Sequence, residues 1–346
     1  MSERSITPED AVERFLRRRR GQSSAKTVRS YANRLEHFRS WCDQEGIESM
    51  RELDGWQIDE FYHWRAGHGV QPVTVKGTLA ALRQMLKYCE EIDAVAENIH
   101  RKIPTLSLSQ DEERSDTRLE QPQAAALIGF YRDSTRYYGH RWHAALELLW
   151  HVGCRVGGAR ALDIGDFDRE AGTVHFRNRP DEGTRLKNDA KGERIVEVNA
   201  ETARALGFYI DRERPDVRDD HGREPLFATT HGRASIGTIR NWAYLGTQPC
   251  LYRECPHGRQ RRTCAWTDRS ECSKCPSSRS PHAIRTGSIT AQLGVFDDIE
   301  IVADRVNAAP STIRRYYDVA GPEERFEDRR KGVGSKFDIM GAADDV

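Results

Sequence analysis

Near its C-terminal end the chain reads Ser280-Pro281-His282-Ala283-Ile284-Arg285-Thr286. Ser followed by Pro opens a helix, and a spacing of three then puts His282 and Arg285 on one helical face. From that face a guanidinium fork and an imidazole converge on one phosphate, the first as a bidentate donor and the second as a proton shuttle. Further on, Ile313-Arg314-Arg315-Tyr316-Tyr317-Asp318 supplies hydroxyls able to act as nucleophiles. A His-x-x-Arg pair on its own is common. Its weight comes from His151-Val152-Gly153-Cys154-Arg155 upstream, where Gly153 ends one helix and Arg155 opens the next.

The eight cysteines divide by surroundings. Cys42, Cys89 and Cys154 lie singly in apolar helical stretches and read as small core residues. Cys250, Cys255, Cys264, Cys272 and Cys275 fall within 26 residues in a polar segment. Such a segment has little apolar surface to offset its ordering entropy, so a tetrahedral zinc is the expected organiser in a reducing compartment. On spacing, Cys272-x-x-Cys275 is a favoured ligand pair, and His257 is a further donor. Four protein ligands leave no open position, which makes such a zinc structural.

The elements that must position these residues are mostly helical. Thr7-Pro8-Glu9-Asp10 caps a first helix whose stripe is Ala11, Val12, Phe15 and Leu16. A second runs from about Ser24 to Glu45, with Val28, Tyr31, Leu35, Phe38, Trp41 and Cys42 at helical spacing and Gly46 to close it. Asp54-Gly55-Trp56-Gln57 is a capping box for a third with Phe61 and Trp64; a fourth follows Pro72 with Leu79, Leu82, Met85, Leu86 and Cys89. The run Arg17 to Arg20 is a solvated face with favourable helix-end charge, or a contact to a nucleic-acid backbone. Periodicity lapses after Pro104, so residues 1–103 form one helical domain and 104–121 a linker. Residues 122–320 form a second domain, with helices near 122–134, 140–152, 200–213 and 234–245. Strands at Thr173–Arg177 and Arg194–Val198 flank a polar turn, 181–192, that holds Lys187 and Lys191. The Cys-rich insert spans 250–275, and 321–346 is a charged tail in which Phe337, Ile339 and Met340 are the anchor-like residues.

With 54 basic and 54 acidic residues the formal net charge is zero, so bulk charge argues neither for nor against a polyanion partner. The 45 Arg against 9 Lys suit phosphate forks, and a GC-rich genome produces the same bias. No stretch has the length and apolarity of a membrane span and no signal peptide opens the chain, so a cytoplasmic protein is expected.

The ordered boxes resemble the tyrosine recombinase, or phage-integrase, family in an archaeal-type form. Gly153-Cys154-Arg155-Val156 with Ala161-Leu162-Asp163-Ile164-Gly165-Asp166-Phe167-Asp168 is similar to its first catalytic-Arg box. Pro281-His282-Ala283-Ile284-Arg285-Thr286 is similar to its His-x-x-Arg box, and Arg315-Tyr316-Tyr317-Asp318 stands in the place of the nucleophile. The resemblance covers roughly residues 8 to 320. It implies a mostly α, α+β fold: a SAM-like helical core-binding domain followed by a recombinase catalytic domain. It implies that Arg155 and Arg285 hold a scissile phosphate, that His282 transfers a proton or binds the phosphate, that Tyr317 attacks, and that a turn lysine, Lys187 ahead of Lys191, protonates the leaving oxygen. Tyr317 is preferred to Tyr316 because archaeal relatives tend to show a single Tyr before Asp there. The same relatives imply Cys250, Cys255, Cys264 and Cys275 as the zinc set, with Cys272 and His257 as alternates.

Two departures stand out. Where the family carries a further His or Trp, this chain has Arg305-Val306-Asn307-Ala308-Ala309, with Asn307 the possible donor, and its frequent acid after the first Arg is Gly158. The expected function is site-specific recombination or integration of double-stranded DNA through a 3′-phosphotyrosyl intermediate, without a catalytic cofactor, by a homo-oligomer, a tetramer on two DNA sites. The alternatives are a DNA-binding relative without catalysis and a type IB topoisomerase-like relaxing enzyme.

Overall fold

In the computed structural model of the protein, residues 5–109, 117–296 and 298–316 are described. The chain forms two compact units, Met1–Ser115 and Asp116–Val346. Tyr317 and the tail residues Phe337, Ile339 and Met340 lie outside the described residues.

Among its described residues the first unit has four α-helices: α1 (Pro8–Arg20), α2 (Ala25–Glu45), α3 (Gly55–Gly67) and α4 (Pro72–Glu91). Their starts follow the sequence signals. Thr7 Oγ1 accepts from Asp10 N at 3.1 Å, and Ser24 Oγ accepts from Thr27 N at 3.2 Å. At α3 the capping box is reciprocal, with Asp54 Oδ1 accepting from Trp56 N at 2.6 Å and Gln57 Oε1 from Asp54 N at 3.1 Å. Phe15, Leu35, Phe38, Trp41, Phe61, Leu82 and Met85 meet in one core. Burying each such side chain stabilises the bundle by about 1.5–3 kcal/mol. The arginine run is partly engaged within the unit: Arg18 pairs with Glu91 at 2.5 Å, and Arg19 donates to Gln84 at 3.0 Å while covering Phe15 and Tyr31.

The second unit contains α5 (Gln121–Asp133), α6 (Arg141–Val152), α7 (Val156–Ala161), α8 (Ala200–Phe208), α9 (Ile236–Gly246), α10 (Pro281–Leu293), α11 (Ile299–Val306) and α12 (Pro310–Tyr316). An antiparallel sheet runs β1 (Phe167–Asp168), β2 (Thr173–Phe176), β3 (Arg194–Glu197), in register Val174↔Val196. A second hairpin pairs β4 (Ala228–Thr229) with β5 (Gly232–Arg233). The expected helix over 200–213 is α-helical only to Phe208 and widens to a π turn over Tyr209–Glu213. There Tyr209 is buried and its hydroxyl accepts from Ala228 N at 3.4 Å, tying the turn to β4. The core is centred on α6, where Leu148, Leu149 and Val152 are fully buried. No helix among the described residues is long and apolar enough to cross a membrane.

Candidate active site

Helix α6 is the platform of the site, and a buried carboxylate fixes it. Glu147 is completely buried, yet accepts from Arg132 Nε at 2.8 Å, Arg132 Nη2 at 3.0 Å and Thr202 Oγ1 at 2.9 Å. His143 Nε2 lies 3.1 Å away and His151 Nε2 3.3 Å. Gly139 N donates to His143 Nδ1, so that ring carries its proton on Nε2 and donates it to Glu147. Burial alone would raise the Glu147 pKa; the hydrogen bonds from His143, His151 and Arg132 outweigh it and hold the group ionised.

α6 ends at Gly153, whose φ of +65° makes the left-handed turn into Arg155. A Cβ at Gly153 would stand 2.9 Å from both Ser288 Oγ and Val306 Cγ1, because α10 and α11 close on this turn. That close approach brings the two arginines together. Arg285, buried on α10, donates from Nη1 to Gly153 O and to Val306 O, each at 2.6 Å. Arg155 donates from Nη1 to the next carbonyl, Asn307 O, at 2.5 Å. Successive carbonyls at the end of α11 therefore hold successive guanidiniums.

His282 sits in the first turn of α10, where Ser280 Oγ accepts from Ala283 N at 3.1 Å and Pro281 occupies the first position. Its pKa is pushed below the ordinary imidazole value, first by desolvation and then by the charges of Arg285 and Arg155. Imidazole and both guanidiniums thus share one field. Like charges gathered in this way are relieved by an anion.

The β2–β3 hairpin brings a further contact. Asn307 Nδ2 donates to Lys187 O at 3.3 Å, and Asn188 Nδ2 donates to Asn307 Oδ1 at 3.1 Å. The backbone of Lys187 is thereby tied to the residue that holds Arg155, while its side chain is exposed. Lys191 is exposed as well, in a 3-10 turn at Asp189–Gly192.

The root of the hairpin is held by buried charge. Asp166 accepts from Arg177 Nη1 at 2.9 Å and Arg179 Nη2 at 2.6 Å; Arg233 bridges Asp163 and Asp219. Burial would raise the Asp219 pKa, but Arg233 and backbone N–H groups bring it down to about 2.

The structure therefore brings Arg155, Arg285, His282, Asn307 and the Lys187 turn to one place. Tyr316 is the last residue of α12, and Tyr317 lies outside the described residues. Beside Gly158 stands the Phe176 ring, covered by Arg194 at 3.9 Å. Arg194 is a residue that sequence reasoning missed. It donates to Arg305 O at 2.8 Å and Gly192 O at 3.0 Å, joining β3 to α11, and burial, with Arg155 nearby, lowers its pKa to about 10. Asn188 was missed too. An exposed Asn in a polar turn carries no sign of a partner 119 residues away.

The Cys-rich insert carries several local contacts of its own. Among the described residues no group of three or more His, Cys, Asp or Glu side chains is placed to hold a metal ion. Cys250 Sγ accepts from Arg261 Nη1 at 3.1 Å, Cys272 and Cys275 are buried, and Cys255 and Cys264 are half-buried. His257 pairs with Ser277 at 3.0 Å. Gln248 reaches Trp266 O at 2.7 Å, Arg259 covers the Trp266 ring at 4.0 Å, and Ser278 Oγ donates to Cys275 O at 2.9 Å.

Comparison with known proteins gives a consistent picture. Residues 12–91 match the phage integrase N-terminal SAM-like domain. The chain is 23% identical over 305 residues to tyrosine recombinase XerD of Mycobacterium tuberculosis, covering 85% of this chain and 87% of the relative. Among solved structures, the Tn1549 transposon integrase in complex with a circular intermediate DNA aligns with a TM-score of 0.66 at 14% identity, over 94% of this chain and 100% of that one. A lambda integrase dimer bound to a COC' core site aligns at 0.62 and 13% identity, over 93% and 80%. These last two likenesses concern the fold.

Proposed function

The chain belongs to the tyrosine recombinase family, and on that premise we propose that it carries out site-specific recombination or integration of double-stranded DNA by breaking and rejoining strands. One observation carries the reading: Arg285 and Arg155 are held on the consecutive carbonyls Val306 O and Asn307 O, with His282 in their field. A phosphodiester brings one negative charge, and more develops on its oxygens during in-line attack. Two preorganised guanidiniums meet that charge without reorganising.

In the proposed step the Tyr317 hydroxyl attacks phosphorus. The Oη–P bond forms as the bond to the 5′ oxygen breaks; the tyrosine proton passes to the His282 imidazole, and the 5′ oxygen takes a proton from Lys187. A phenol with a pKa of about 10 must lose its proton in attacking, so the field of the arginines also serves the nucleophile. Because the phosphotyrosyl ester keeps the energy of the broken bond, a 5′ hydroxyl of another strand reverses the step, and exchange needs no nucleotide cofactor. Assembly is proposed as a tetramer on two DNA sites, in line with the lambda integrase tetramer solved on a Holliday junction. A structural zinc in the insert is proposed from its donor types, with Cys250, Cys255, Cys264 and Cys275 as the ligand set that the family resemblance implies and Cys272 and His257 as alternates. Metal analysis of protein purified without added zinc, giving far less than one zinc per chain, removes it.

The decisive experiment uses nicked suicide duplexes in EDTA with the native chain, Tyr317→Phe and Tyr316→Phe. Covalent adduct lost only in Tyr317→Phe is the expected result. Loss only in Tyr316→Phe reassigns the nucleophile, and specific binding without adduct from any of the three overturns the reading in favour of a non-catalytic DNA-binding protein.

A further inference from the structure

The side chain of Asn307 engages the β2–β3 turn. Oδ1 accepts from Asn188 Nδ2 at 3.1 Å and Nδ2 donates to Lys187 O at 3.3 Å, while its backbone O holds Arg155 at 2.5 Å. Both amides sit on left-handed backbone, φ +77° at Asn188 and +52° at Asn307, which Asn tolerates better than other side chains. The two side chains close a bridge between the tip of the β2–β3 turn and the end of α11. Other ties hold the turn elsewhere: Arg177 and Arg179 on Asp166 at its root, Arg160 of α7 on Gly183 O, Arg223 on Glu182 O and Thr184 Oγ1, and Arg185 on Asp189 within it.

We propose that Asn188 and Asn307 form a clasp that positions Lys187 over the phosphate held by Arg155, with Asn188 a positioning residue for proton delivery to the leaving oxygen. The proposal rests on the recombinase reading above. The lysine's own side chain is exposed and has four rotatable bonds, so the accuracy of its delivery depends on where its backbone is fixed. The clasp fixes that backbone to the same residue whose carbonyl fixes Arg155. Acid and phosphate clamp then share one reference point. Asn307 is accordingly a positioning residue as well, since the two polar atoms of its side chain are engaged with the turn.

Glycine is the right replacement, because it accepts a left-handed φ without strain while removing the side chain that carries the amide. The native chain, Asn188→Gly, Asn307→Gly, the double variant and Lys187→Ala are compared on two nicked suicide duplexes, one with the ordinary 5′ oxygen and one with sulfur in its place at the scissile bond. The duplexes are those that the native chain captures covalently from a random-core pool. A thiolate leaves without a proton, so a defect in acid delivery disappears on the sulfur duplex. Asn188→Gly is expected to cleave the oxygen duplex about 10–100-fold more slowly, within the range for a misplaced general acid. It should bind that duplex as tightly as the native chain and cleave the sulfur duplex at close to the native rate, as Lys187→Ala does. The double variant should be no slower than either single one. An equal loss on both duplexes, or no loss on the oxygen duplex, overturns the clasp. Amide exchange over residues 185–192 in the free protein tests the clasp without DNA: Asn188→Gly should raise it, and unchanged exchange also refutes the clasp. Failure of the native chain to form any adduct with the pool would count against the recombinase reading instead, leaving the exchange result to decide the clasp.

Discussion

Replacing Glu147 by Gln keeps the shape of the side chain and removes its charge. The carboxylate takes two hydrogen bonds from Arg132, at 2.8 and 3.0 Å, one from Thr202 and one each from the neighbouring His143 and His151, at zero exposure. An amide can keep one oxygen in place, but it turns an NH₂ toward donors and leaves the Arg132 guanidinium without its counter-charge. Two charge-assisted bonds at about 1.5–3 kcal/mol each, or equally one broken buried pair at about 3–5 kcal/mol, put the loss at about 3–5 kcal/mol. For a unit of this size that is about 6–20 °C in Tm. Urea unfolding at pH 7 measures it, and a cycle with Arg132→Met should show a coupling of about 2 kcal/mol or more. The pH dependence has a fixed sign. Glu147 is depressed in the folded state, so its contribution is present above the unfolded carboxyl value of about 4.3 and fades as pH falls below it. The gap between native and Glu147→Gln should therefore narrow in acid. A loss below about 1 kcal/mol at pH 7 would refute the view that this carboxylate fixes the platform beneath Gly153.

Gly287→Ala places a Cβ 1.9 Å from Leu119 O, so α10 must move; cleavage and stability should both fall, by about 1–3 kcal/mol in urea unfolding. His282, depressed in the folded protein, costs stability as pH falls from about 6.5 toward its folded pKa, and His282→Gln should abolish that slope. A bound phosphate offsets the two arginines and raises that pKa, so calorimetry in buffers of different ionisation enthalpy should show proton uptake on DNA binding near about pH 6, absent in His282→Gln. Asp166→Asn leaves Arg177 and Arg179 without their shared carboxylate; proteolysis should cut the 177–193 turn faster while the first unit keeps its protection.

What could be read in the sequence was local. Caps at Thr7, Ser24, Asp54 and Ser280 announced their helices because the capping atoms are within three residues of the N–H groups they satisfy. His282 and Arg285 were legible for the same reason, and Arg155 through its neighbours in an ordered box. The Asn188–Asn307 bridge, the Arg194 contact to Arg305 O and the hold of Arg285 on Gly153 O join residues 119, 111 and 132 positions apart. No short-range pattern encodes them. The insert's low apolar content is legible, whereas the contacts of Trp266, with Arg259 on its face and Gln248 on its carbonyl, are not.

The arginines fall into two populations that salt treats differently. Arg17 and Arg20 are exposed, and mobile ions compete for whatever such side chains touch within a Debye length of about 8–10 Å. Arg233, only 5% exposed and locked between Asp163 and Asp219, is screened far less. The outer population works as an exchangeable coat and the inner one as fixed masonry. Concentrated electrolyte should weaken whatever polyanion the coat touches while the ion pairs at the root of the Lys187 turn stay set.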